Sequence, residues 1–144
     1  DKRHLPGAPH HGIGRPCKVG KEEIVGLLTA LELFVEQDPD ARRAAWLDMM
    51  KNLMDAAGEI PGVEIKLVND PKRSEIPLVH AQIDEDICGM TALDVIRQLQ
   101  DSEPSIQANP TNVREGGVGF GPMCLKEGEP EIVGHRLREI LGTV

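Results

Sequence analysis

The chain has 144 residues, 40% of them hydrophobic and 28% charged, a balance that fits one ordinary globular domain or one part of a larger protein. Its apolar runs fall far short of the ~20 residues a membrane-spanning helix needs, and no cleavable signal opens the chain. Phe34, Trp46 and Phe120 are the only aromatic residues and the net charge is −8, which argues against nucleic-acid binding by this piece and requires an aliphatic core.

Residues 1–20 carry Pro6, Gly7, Pro9, Gly12, Gly14, Pro16 and Gly20, a punctuation that forbids a helix or a long central strand and predicts an extended strap. The charge is uneven here. Lys2, Arg3, Arg15, Lys18 and Lys21 against Asp1 give residues 1–21 a charge of +4, which leaves −12 for the rest. Such a segment is either a solvated tail or an electropositive arm that meets an anionic ligand.

From Lys21 the pattern becomes helical. Ile24, Leu27, Leu28, Leu31, Phe34 and Val35 form one stripe, with Glu22 and Glu23 placed to complement the helix dipole. Asp38-Pro39-Asp40 reads as the start of a second helix, whose inner face is Trp46, Met49, Met50, Leu53, Met54 and Ala57 and whose end suits Gly58. Val63, Ile65 and Leu67 alternate with Glu64 and Lys66, which predicts a half-buried strand, and Leu78–Ile83 reads as a second one. Thr91 with Asp94 forms a capping box for a helix that buries Leu93, Ile96 and Leu99. Ser105–Ala108, Asn112–Arg114 and Val118–Leu125 read as short strands. Pro130 opens a last helix with the stripe Ile132, Val133, Leu137, Ile140 and Leu141. The expected architecture is α+β: a mostly antiparallel sheet with helices packed on one face, preceded by the strap.

The segment Gly12-Ile13-Gly14-Arg15-Pro16-Cys17-Lys18-Val19-Gly20-Lys21-Glu22-Glu23, running into an aliphatic helix, resembles the strap Arg-x-x-Arg/Lys-Val-x-Lys of bacterial selenocysteine synthases and their relatives. With His10-His11-Gly12 before it and Lys21-Glu22-Glu23 after it, the segment is similar to the D-glucosaminate-6-phosphate ammonia-lyase-like branch. Asp101–Ile106 and Leu125–Glu129 also look like pieces of the small domain of fold-type I pyridoxal-phosphate enzymes. The resemblance implies that residues 1–20 return toward an active site and that residues 21–144 form the C-terminal α+β domain. It also implies that a large domain, absent from this chain, binds pyridoxal 5′-phosphate.

By position, Arg15 and Lys18 match the strap cations that bind substrate anions. The chemistry suits the role, since Arg offers a planar fork to a phosphate or carboxylate and Lys a compact charge. The bland alternatives are a structural ion pair for Arg15 and a surface charge for Lys18. The family's cofactor lysine lies in a Ser/Asp-Lys segment followed by Gly-Gly-Pro, and nothing here matches it, so no catalytic residue is expected in this chain and the chain alone is expected to be inactive. His10 and His11 are candidates for a place near cofactor or substrate. With Cys17 they do not make a metal site, because adjacent histidines diverge in an extended strap and no second ligand pair follows. Cys17, Cys88 and Cys124, odd in number and scattered, fit a reducing cytoplasm.

Three functions stand side by side. The first is a lyase that eliminates ammonia from an amino sugar acid or related anionic substrate, this piece holding the anion while the large domain and a neighbouring subunit complete a homo-oligomer. The second is a selenium transferase acting on L-seryl-tRNA(Sec). The third is a non-catalytic interaction module with the same fold.

Overall fold

The computed structural model describes residues 17–72 and 74–142, and within it the chain divides into two compact units, residues 1–38 and 39–144. In the first, helix α1 spans Lys21–Glu36 and buries none of its residues; Ile24, Leu27, Leu28, Leu31 and Phe34 are 48–71% exposed. The predicted strap, apart from residues 17–20, lies outside the described residues.

The second unit begins with α2 (Pro39–Ala57), which buries Met50, Leu53 and Ala57 and ends at Gly58 in a left-handed conformation (φ +61°). Strands β1 (Val63–Val68) and β2 (Leu78–Ile83) then pair antiparallel, from Val63 opposite Ile83 to Val68 opposite Leu78. Arg43 of α2 pins the loop between them by donating to the Glu75 carbonyl and to Asn69 Oδ1. A single-turn helix, α3 (Glu85–Cys88), is capped by Asp84, whose Oδ1 accepts from the Asp86 and Ile87 amides. Next come α4 (Ala92–Asp101), β3 (Gly117–Phe120) and α5 (Glu129–Leu141). β3 joins β2 antiparallel, which gives the sheet order β1-β2-β3.

The α+β architecture is therefore as the alternating and helical periods imply. Val79, Ala81 and Ile83 of β2 point into a core shared with Met50 and Leu53 of α2, Val95 and Leu99 of α4, and Val133 and Leu137 of α5. The tightest helix contact is α2 on α5 at Gly134: a methyl group there would overlap the Leu53 carbonyl and come within 2.8 Å of Ala56 Cβ. Glycine is required for that approach.

Several local expectations are corrected, among them the strand Val118–Leu125, which ends at Phe120, and Ile132, which is 42% exposed. Asn112–Arg114 does not form a strand: Val113–Glu115 is a 3-10 turn closed by Gly116 at φ +78°, because short polar residues around Pro110 fold the chain back on itself. Residues 105–108 run beside the sheet without joining it, and only Asn109 bridges, to Gly119. Leu93 faces outward at 43% exposure while Ala92 and Val95 take the buried positions, so the inner stripe of α4 is shifted by one residue at its start.

Candidate functional site

Of the candidate site residues Arg15, Lys18, His10 and His11, Lys18 alone lies within the described chain. It is exposed, in the irregular stretch that leads into α1. Arg15, His10 and His11 lie outside the described residues. Lys18, Lys21, Lys51, Lys66, Lys72 and Lys126 are all exposed, and Lys51 and Lys66 are paired with Asp48 and Glu64 at 3.3 and 2.7 Å. A Schiff base to pyridoxal phosphate needs a lysine whose ammonium is readily deprotonated, as in an enclosed pocket. None of the described lysines has that setting, so these residues do not fit the cofactor. Among the described residues, no group of three or more His, Cys, Asp or Glu side chains could hold a metal ion.

Polar groups do converge on the face of the sheet opposite the core. There Lys66, His80 and Gly119 stand opposite one another across the three strands, as do Glu64, Gln82 and Gly117. Alternation dictates this: β2 buries Val79, Ala81 and Ile83, so His80 and Gln82 must look the other way. β3 contributes glycines to this face, and they make room for the neighbouring side chains. A methyl group at Gly117 would come within 2.6 Å of His80 Nε2 and 2.9 Å of Asn112 Cβ.

The loop from Asn109 to Gly116 frames this surface. Asn112 Nδ2 lies 3.2 Å from His80 Nε2, and the Asn112 carbonyl accepts from the Gly117 amide at 2.8 Å. With the amide donating, Nε2 is the acceptor and the ring proton sits on Nδ1. Gln82 Nε2 donates to the Glu115 carbonyl, and the Gly116 carbonyl accepts from the Ile83 amide at 2.9 Å. Asn109 Oδ1 accepts from the amide and the hydroxyl of Thr111, which holds the loop's entry. The result is a row of hydrogen-bonding groups beside the Lys66–Glu64 ion pair. Such a row can bind and orient a polar group. It contains no nucleophile poised by a base.

A second concavity, of about 350 Å³, lies between residues 104–107, Phe120, Cys124 and Ile132. Its wall is mostly apolar, which suits packing rather than an anion. The thiols differ in setting. Cys17 and Cys124 are exposed, whereas burial, reinforced by the Asp84 carboxylate, pushes the Cys88 thiol up from its ordinary range.

Against known proteins, no family model matches the chain. It is 30% identical over 133 residues to the D-glucosaminate-6-phosphate ammonia lyase of Salmonella typhimurium, a match covering 92% of this chain and 35% of that enzyme. A solved structure of D-glucosaminate-6-phosphate ammonia-lyase superposes with a TM-score of 0.73 at 29% identity, over 92% of this chain and 35% of that one. The chain resembles one third of an ammonia-lyase. It is also 30% identical over 134 residues to a 5′-C-glycyluridine monooxygenase-decarboxylase of a Streptomyces species, covering 93% of this chain and 34% of that enzyme. The resemblance read from the strap and from the Asp101 and Leu125 stretches thus extends over nearly the whole chain, and the fold agrees with it.

The row His80, Gln82 and Asn112 escaped the sequence reading. One signal for it is present: Gly117, Gly119 and Gly121 recur with period two, marking a strand whose one face is kept clear for neighbouring groups.

Proposed function

We propose that the chain is the C-terminal portion of a pyridoxal-phosphate-dependent lyase that eliminates ammonia from an anionic amino sugar acid. The observation that carries this reading is the joint match in sequence and fold, over nine-tenths of the chain, to D-glucosaminate-6-phosphate ammonia-lyase. In this reading the chain supplies substrate binding and closure. Arg15 and Lys18 hold the substrate's anionic end, His10 and His11 stand nearby, and the bare sheet face with His80 and Asn112 turns toward the part of the enzyme that holds the cofactor. The exposure of the lysines described above, with the lack of any Ser/Asp-Lys segment followed by Gly-Gly-Pro in the sequence, supports placing the Schiff-base lysine outside residues 1–144.

The test is borohydride reduction of the full-length gene product after loading with pyridoxal phosphate, followed by peptide mapping. One labelled lysine outside residues 1–144 is expected. A specific label on a lysine of this chain would overturn the division of labour.

One observation favours a second reading. The monooxygenase-decarboxylase matches at the same identity over the same length. Oxygen uptake coupled to loss of carbon dioxide, in place of ammonia release, would identify that reaction. A tRNA substrate has less support, because residues 22–144 carry a charge of −12, which repels a polyanion.

A further inference from the structure

β1 is the outermost strand, and among the described residues no strand lies beyond it. The ladder to β2 places the Asp84 amide on the Gly62 carbonyl at 2.7 Å, in the register that sets Glu64 opposite Gln82 and Lys66 opposite His80. In an antiparallel ladder hydrogen-bonded pairs alternate, so the peptide groups of Glu64 and Lys66 face β2 and those of Val63, Ile65 and Leu67 face outward. The Val63 amide is used locally, on the Ile60 carbonyl at 3.1 Å. Ile65 and Leu67 present outward donors and acceptors in the spacing that an added strand requires.

The side chains say which strand fits. On the bare face the order is Glu64 then Lys66, 2.7 Å apart at their charged ends and both more than 60% exposed. Their neighbours across the β2 ladder, Gln82 and His80, offer neither a carboxylate nor a Lys or Arg. A two-fold axis through Ile65 would set each Glu64 opposite Lys66 of a second copy, twice over, at the closely spaced positions of the ladder. The same axis sets Val63 opposite Leu67 on the core-side face, and it makes Ile65 meet Ile65. On that side the edge opens onto a groove of about 640 Å³ between β1 and the end of α2, lined by Met54, Ile60 and Pro61 and by the acidic Asp55 and Glu59. The core-facing side chains of β1, Val63, Ile65 and Leu67, stop short of full burial, as the rim of an unfinished core would, and Val68 on the other face is 49% exposed.

From these observations we infer that β1 pairs antiparallel with β1 of a second copy of this chain, joining two three-stranded sheets into one six-stranded sheet. A lone lysine on an edge strand usually deters pairing. Here the glutamate two residues away turns the deterrent into a self-complementary pattern, and no unrelated strand would need that symmetry.

The test uses the full-length gene product, with oligomer mass read by native mass spectrometry and sedimentation. Lys66→Glu places four carboxylates at the seam, and Glu64→Lys four ammoniums. Each variant alone should self-associate at this interface about tenfold more weakly or worse, and the assembly should fall to half the wild-type mass at low concentration. Co-expression of the two variants should restore the wild-type mass through mixed pairs, which a misfolded variant could not do. Wild-type mass for both single variants would overturn the inference. So would a loss that co-expression does not repair, the result expected if a strand from elsewhere in the same polypeptide occupies the edge.

Discussion

Thr91 and Asp94 form a complete capping box, and both halves of it are legible in the sequence. The Thr91 hydroxyl accepts from the Asp94 amide at 3.2 Å, and the Asp94 carboxylate accepts from the Thr91 amide at 3.3 Å and hydroxyl at 2.7 Å. The hydroxyl and amide of Thr91, with a smaller contribution from Arg97, hold the Asp94 carboxyl below the usual carboxylate range. A carboxyl depressed in the fold stabilises above its unfolded pKa and loses that contribution as pH falls through the folded one. The box should therefore be intact at neutral pH and weaken below about pH 4. Thr91→Ala should cost ~1 kcal/mol at pH 7, measured by urea denaturation, and the deficit should shrink in acid. Gly117→Ala should cost about 1–3 kcal/mol, because the new methyl displaces the His80 ring and Asn112, and loss of their contact would show as a shifted imidazole resonance. Cys17 and Cys124 should react with a thiol reagent at neutral pH, whereas Cys88, buried and held protonated, should react only on unfolding.

At the scale of elements, α5 packs on α2 through Gly134. Alanine normally favours a helix interior over glycine by about 1 kcal/mol, yet Gly134→Ala should destabilise by ~1–3 kcal/mol, since its methyl has no space against Leu53 and Ala56. A lowered melting temperature with unchanged helix content checks this. The elements that were legible share one trait: their apolar period is long and continuous. The stripe of α2, the alternation of β1 and Pro130 in the first turn of α5 each gave the element and nearly its bounds. The strands expected at Ser105–Ala108 and Asn112–Arg114 do not form because short, mixed runs there leave propensity undecided, and tertiary contacts chose a 3-10 turn and a single bridge. The α3 turn had no stripe to reveal it, only the cap at Asp84. The polar row on the sheet is not legible in the sequence: Leu78–Ile83 reads as a strand without an outward face, and nothing local brings Asn112 to His80.

At the scale of the whole molecule, the chain spans about a third of the length of the relatives it matches, and its own surface is unfinished in keeping with that. α1 is apolar over most of its circumference and buries none of its residues; a helix of that character is stable when other elements cover it. In the proposed enzyme that cover comes from the cofactor-binding part or a neighbouring subunit. The anion clamp is assigned to Arg15 and Lys18 by position in the strap. Arg15→Ala in the complete enzyme should remove a charge-assisted contact of about 1.5–3 kcal/mol, a roughly tenfold to hundredfold loss in kcat/KM, with cofactor content and melting temperature unchanged. Lys18→Ala should cost less, because its ammonium is exposed and screened. A fall in thermal stability alone would make Arg15 a structural ion-pair residue. The central claim, an ammonia-eliminating lyase of which this chain is the anion-holding part, is tested most directly by ammonia release. The full-length gene product, loaded with pyridoxal phosphate, should release one ammonia per molecule of D-glucosaminate 6-phosphate consumed, and far more slowly from the unphosphorylated acid. No ammonia from either acid, by an enzyme shown to carry its cofactor, would contradict the account.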